Sequence, residues 1–74
     1  MRNVNVYQKV LENLGYNPDG VDWFVRNGDD DIEGCHTELL YVGAVKNPVA
    51  WIYRDMETGE VVEVLDRDGD LIGY

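Results

Sequence analysis

The hydrophobic period of this chain changes once, and that change limits what it can fold into. Between Asn5 and Gly15 the residues Tyr7, Val10, Leu11 and Leu14 recur at i, i+3, i+4 and i+7, which places them on one face of a helix. Asn5 is placed to cap that helix, with Gln8 three residues on completing a capping box. Gly15 suits the left-handed residue just past the end, which would turn Tyr16 back against Leu11. At about ten residues such a helix is marginal alone and must be held by packing. From Val21 onward the period is two.

Asn17-Pro18-Asp19-Gly20 has the composition of a turn, since Pro18 fixes φ and Gly20 eases the exit. Val21, Trp23 and Val25 then alternate with Asp22, Phe24 and Arg26, and Asn27-Gly28 opens an acidic loop. Thr37 to Val45 is apolar on both faces for much of its length, as a central strand is, and Asn47-Pro48 ends it. Val49 to Arg54 is the next strand, with Trp51 and Tyr53 on one side and Ala50 and Ile52 on the other. Met56 to Gly59 makes a hairpin connection to a return strand over Glu60 to Leu65. Asp66 to Gly69 is a further turn, and Asp70 to Tyr74 is expected to be a short edge strand. Trp23, Tyr41, Trp51 and Tyr53 are expected to point mostly inward, with one of them available as an interface anchor.

One helix followed by locally connected strands predicts an α+β fold, one N-terminal helix packed on a small, mostly antiparallel sheet of four to five short strands. With 74 residues the chain is expected to form a single small acidic domain over residues 1–74 with a thin core, to which its large apolar side chains are committed. A lone cysteine forms no internal disulfide, and no apolar run resembles a signal or spanning segment, so a reduced, cytoplasmic setting is expected.

Fifteen acidic against six basic residues give a formal charge of −9, more than solubility asks of so small a domain. Direct contact with nucleic acid or an anionic membrane is disfavoured, because both need a basic patch and the basic residues are scattered along the chain. A basic protein surface or a hard cation is the natural partner. Asp66, Asp68 and Asp70 match the opening of a calcium loop, but Leu71 stands where its glycine belongs and the bidentate glutamate is missing. Zinc finds no four-ligand set, because Cys35 and His36 are adjacent and there is no second Cys or His. Neighbours on a strand point to opposite faces, which keeps Cys35 from His36 and favours a buried structural thiol beside a surface imidazole. The surrounding carboxylates also work against a thiolate. There is no phosphate-binding glycine loop or nucleophile elbow, so neither catalysis nor a metal or other cofactor is expected.

The acids fall into three groups: a loop group (Asp29, Asp30, Asp31, Glu33), a hairpin group (Asp55, Glu57, Glu60, with Glu63 nearby) and a terminal group (Asp66, Asp68, Asp70). Residues two apart on an extended segment stand about 6.8 Å apart on one side, a file of charge that a groove lined with Lys and Arg would meet as it meets phosphates. In size and charge the chain resembles the small acidic inhibitors that phages and mobile elements direct against restriction or CRISPR machinery, some of which are DNA mimics. That resemblance implies a non-catalytic binding protein whose three acid groups occlude the basic site of a nucleic-acid-handling protein. Two other readings remain open: a homo-oligomeric assembly protein joined through an exposed strand edge, for instance a homodimer, and a weak calcium-binding module.

Overall fold

The helical period forms α1 (Val4–Asn13), and the period-two region forms β1 (Trp23–Asn27), β2 (Cys35–Val42), β3 (Ala50–Asp55) and β4 (Val61–Asp66). These elements belong to a computed structural model that describes residues 4–28, 34–44 and 46–74. The fold is α+β, with the N-terminal helix packed against one four-stranded antiparallel sheet in the order β1-β2-β3-β4. The doubly apolar segment is indeed a central strand. It runs from Cys35 to Val42 and so begins before Thr37, because pairing with β3 continues down to Cys35 opposite Asp55, and it gives way to a turn at Gly43 and Ala44; Val45, its expected end, lies outside the described residues.

α1 ends as its sequence predicts. The Tyr16 amide donates to the Leu11 carbonyl at 2.9 Å and the Gly15 amide to the Glu12 carbonyl at 3.0 Å, the paired bonds of a Schellman ending, with Gly15 at φ 96°. Its beginning differs. The helix already includes Val4, so Asn5 lies inside the first turn and is not its cap. The Asn17–Gly20 turn closes through the Gly20 amide to the Asn17 carbonyl at 2.9 Å, and Asn17 Oδ1 accepts the Asp19 amide.

The core lies between α1 and one face of the sheet. Val10 and Leu11 from the helix meet Leu40, Ala50, Ile52 and Val64 from β2, β3 and β4, all fully buried, with Val49 beside them. Each valine, leucine or isoleucine of this set contributes on the order of 1.5–3 kcal/mol by leaving water, and Ala50 less. Strand alternation then assigns the other side chains. Trp23 pairs with Val42 and shares the helix-facing side with Leu40, so it packs against the core as expected.

Tyr41, Trp51 and Tyr53 do not lie on the helix-facing side. Tyr41 pairs with Phe24 and Trp51 with Leu39, on the alternate positions, so both stand with Tyr53 on the side of the sheet away from α1. The inward positions of β3 are taken by Ala50, Ile52 and Arg54.

The last segment departs from its expectation too. Asp70 to Tyr74 forms no strand but a single antiparallel bridge between Leu71 and Leu65. The Ile72 amide donates to Val64, the Ile72 side chain packs on the core, and Asn13 Nδ2 donates to the Gly73 carbonyl, which draws the chain off the sheet toward α1. Part of the β4 edge is covered in this way.

Candidate functional site

The two groups of acids that fall on described residues stand at opposite ends of the sheet. At one end lies the β3–β4 hairpin. Asp55 Oδ1 accepts the amides of Glu57 at 2.7 Å and Thr58 at 3.1 Å, and its own carbonyl accepts the Gly59 amide at 2.8 Å. Gly59 closes the turn at φ 77°, a conformation costly for a side-chain-bearing residue. The Met56 amide donates to Gly34, which ties the hairpin to the start of β2, and Gly28 pairs with Thr37 nearby. Gly28 and Gly34, which flank the loop group, therefore lie at the hairpin end. Asp29, Asp30, Asp31 and Glu33 themselves lie outside the described residues.

The far end carries the terminal group. Asp66 Oδ1 accepts the amides of Asp68 and Asp70, both at 2.9 Å, and the Asp66 amide returns a bond to the Asp70 carbonyl. Asp66 opposes Ala50 at one end of β3, while Asp55 is at the other, so the two acidic turns are separated by about 17 Å of strand. Asp55 and Asp66 thus each commit one oxygen to holding a turn. Glu57, Glu60, Asp68 and Asp70 are exposed, and their carboxylates have no hydrogen-bond or ion-pair partner among the described residues. They are the groups able to meet an external cation.

Carboxylate oxygens of Asp66, Asp68 and Asp70 come within 4.8 Å of one another. The turn accounts for that convergence, since the Asp66 oxygen draws the next two acids' backbone around itself.

A second polar group was hidden among the scattered residues. Glu38 shares the inward side of β2 with Leu40, and Arg54 ends the inward row of β3, so the two meet beneath α1. Arg54 Nε donates to Glu38 Oε1 at 2.8 Å, Tyr7 Oη donates to the same oxygen at 2.8 Å, and Arg54 Nη2 donates to Tyr7 Oη at 3.0 Å. Arg54 Nη1 reaches the Gly59 carbonyl at 2.7 Å, which links this buried group to the acidic hairpin. A register shift between Tyr53 and Arg54 leaves Val62 unpaired and turns the strand at this point. Burial and the Glu38 carboxylate push the Tyr7 phenol above its usual value. Burial works against the charge of Arg54, but its bonds to Glu38 and Tyr7 outweigh this and raise its pKa. The legible signals were a glutamate inside an apolar strand and an arginine in the same alternate set as Ala50 and Ile52.

Cys35 and His36 are neighbours on β2 and so point to opposite faces. Both are half-buried, which corrects the expectation of a buried thiol and a surface imidazole. His36 Nε2 lies 3.1 Å from Asn27 Oδ1. The concavities among the described residues are shallow and open, two of them flanking Trp51. No described helix is long and apolar enough to cross a membrane. No family model, curated protein or solved structure matches the chain.

Proposed function

We propose that this chain is a non-catalytic binding protein whose acidic turns occupy the basic site of a nucleic-acid-handling protein, in the manner of phage-type anti-restriction or anti-CRISPR inhibitors that mimic DNA. The observation that carries this reading is the outward, unpaired state of the carboxylates of Glu57, Glu60, Asp68 and Asp70 on a chain of formal charge −9. Among the described residues the one ion pair is Arg54–Glu38, and it is largely buried. The remaining charge is thus available for long-range attraction, which speeds encounter with a basic groove and fades with salt. Two acidic turns about 17 Å apart on a rigid sheet offer a groove two points of attachment.

The test is capture from host lysate on the immobilised chain, with bound proteins identified by mass spectrometry. The expected catch is a basic nucleic-acid-binding protein that about 0.5 M salt or competing duplex DNA releases. Replacing Asp29, Asp30 and Asp31 by Asn, or Glu57 and Glu60 by Gln, is expected to slow association with that protein and flatten its salt dependence. Unchanged kinetics in both variants would remove the loop group and the hairpin group from the binding site. Capture indifferent to salt and to DNA would remove the mimicry.

A further inference from the structure

The side of the sheet away from α1 is itself an organised surface. Register sets Arg26, Leu39, Trp51 and Leu65 in one row across β1 to β4, with the Phe24–Tyr41 stack on one side of it and Tyr53 paired with Glu63 on the other. No described helix or strand lies over this face. An apolar sheet face is normally covered by a second layer, most simply another sheet.

Charge at its rim indicates what covers it. Of the basic residues, Arg54 is buried under α1, whereas Arg26 lies over the Tyr41 ring at 6.0 Å and Lys46 and Arg67 flank Trp51. On the outward side the β1 edge carries Arg26 with Asp22 just ahead of the strand, and the β4 edge carries Glu63 with Arg67 just past the strand, while Asp66, opposite Ala50, belongs to the helix-facing positions. The outward acid lies at one end of β1 and at the opposite end of β4. That pattern is complementary to itself.

We propose that this face binds the same face of a second copy, in an isologous dimer whose two-fold axis runs parallel to the strands. Such an axis lays β1 of one copy over β4 of the other. Arg26 then meets Glu63 of the partner subunit and Arg67 meets Asp22 of the partner subunit, each about one pleat along the strand, around a centre of Leu39 and Trp51. An axis perpendicular to the strands through the same row would instead set Arg26 over its own copy. This dimer differs from one joined at a strand edge, and it is independent of the acidic turns at the ends of the sheet.

Sedimentation equilibrium from about 1 µM to about 1 mM chain, at about 0.05 and about 0.5 M salt, tests it. A monomer–dimer equilibrium is expected, persisting at high salt where chain-wide repulsion is screened and a basic partner would be released. Trp51→Glu is expected to abolish dimerisation while the circular dichroism of the fold is retained. Arg26→Glu and Glu63→Arg should each weaken it about tenfold, and the double swap should restore it to within about threefold. Within one chain these two residues are three strands apart, about 14 Å, so an internal pair does not explain rescue. A monomer throughout overturns the proposal, as does a dimer that survives Trp51→Glu or is not rescued by the swap. Should Trp51→Glu fail to fold, the swap alone decides.

Discussion

Leu39 and Leu40 are neighbours on β2, yet one meets water and the other does not. Leu40 is fully buried beneath α1, in contact with the helix through a core that excludes solvent. Leu39 is half-buried on the face that no described element covers. The same contrast separates the fully buried Ile52 from the half-buried Trp51, its neighbour on β3, the smaller side chain lying under the helix and the larger aromatic on the open side. A one-helix domain covers only one face of its sheet, and it does so with aliphatic side chains around a single ionic group. The open face is left with aromatic area and a ring of charge, the composition of a contact surface more than of an interior.

The largest difference between the faces should come from Arg54. Arg54→Ala leaves the Glu38 carboxylate and the Tyr7 hydroxyl beneath α1 without their cation, and the expected loss is about 3 kcal/mol or more in urea unfolding. Replacing Glu38 and Arg54 together by Met should recover at least half of that loss, because an unpaired buried charge costs more than a missing pair. A double variant as unstable as the single one would mean that the pair is held chiefly by its tie to Gly59 and the hairpin. Next in size are the two leucines. Leu40→Ala should cost about 3 kcal/mol and Leu39→Ala about 1 kcal/mol, measured on dilute chain so that self-association does not enter. Equal costs would break the distinction between a covered and an open face.

Tyr7 gives the covered face a pH dependence. Its phenol is raised in the fold above the value of about 10 that it has when unfolded, so the folded state holds that proton more tightly. The stability it contributes is therefore complete below about pH 10 and lost as pH rises through the folded value. Tyr7→Phe removes both the bond to Glu38 and the bond from Arg54, with an expected loss of about 1–2 kcal/mol at neutral pH. The gap between the variant and the parent should narrow above about pH 10 in urea titrations. No gap at any pH would place the contribution of Tyr7 in its ring, which the variant keeps packed against Trp23 at 5.8 Å, and not in its hydroxyl.

What could be read in the letters follows from which interactions are local. Gly15 and the spacing of Tyr7, Val10, Leu11 and Leu14 carry the helix and its ending within a dozen residues, and Asp55 and Asp66 form their turns from their own next few amides. The antiparallel sheet follows from short connections. The side to which each aromatic points was not legible, because alternation divides a strand into two sets without saying which set meets the helix. That choice rests on register, and register joins residues such as Tyr41 and Phe24 that are far apart in the chain. The Tyr7–Glu38–Arg54 group was missed for the same reason, being assembled from three elements. The acidic turns were found as residues, but their separation onto two ends became visible only with strand order.

The smallest effect should belong to Phe24. Its ring stacks on Tyr41 at 5.0 Å with planes 4° apart, and it is 43% exposed, so truncation removes a cross-strand pair but opens no cavity. Phe24→Ala should cost about 0.5–1 kcal/mol in dilute chain. Tyr41→Ala should cost more, since Tyr41 is only 9% exposed, and a double-mutant cycle of the two should yield a coupling of about 0.5 kcal/mol or more. If Phe24→Ala instead matched Leu40→Ala, the open face would be a second core, and its aromatics would be committed to the monomer. A small cost leaves them free to contribute where two surfaces meet, because area still exposed in the monomer is the area whose burial remains to be gained.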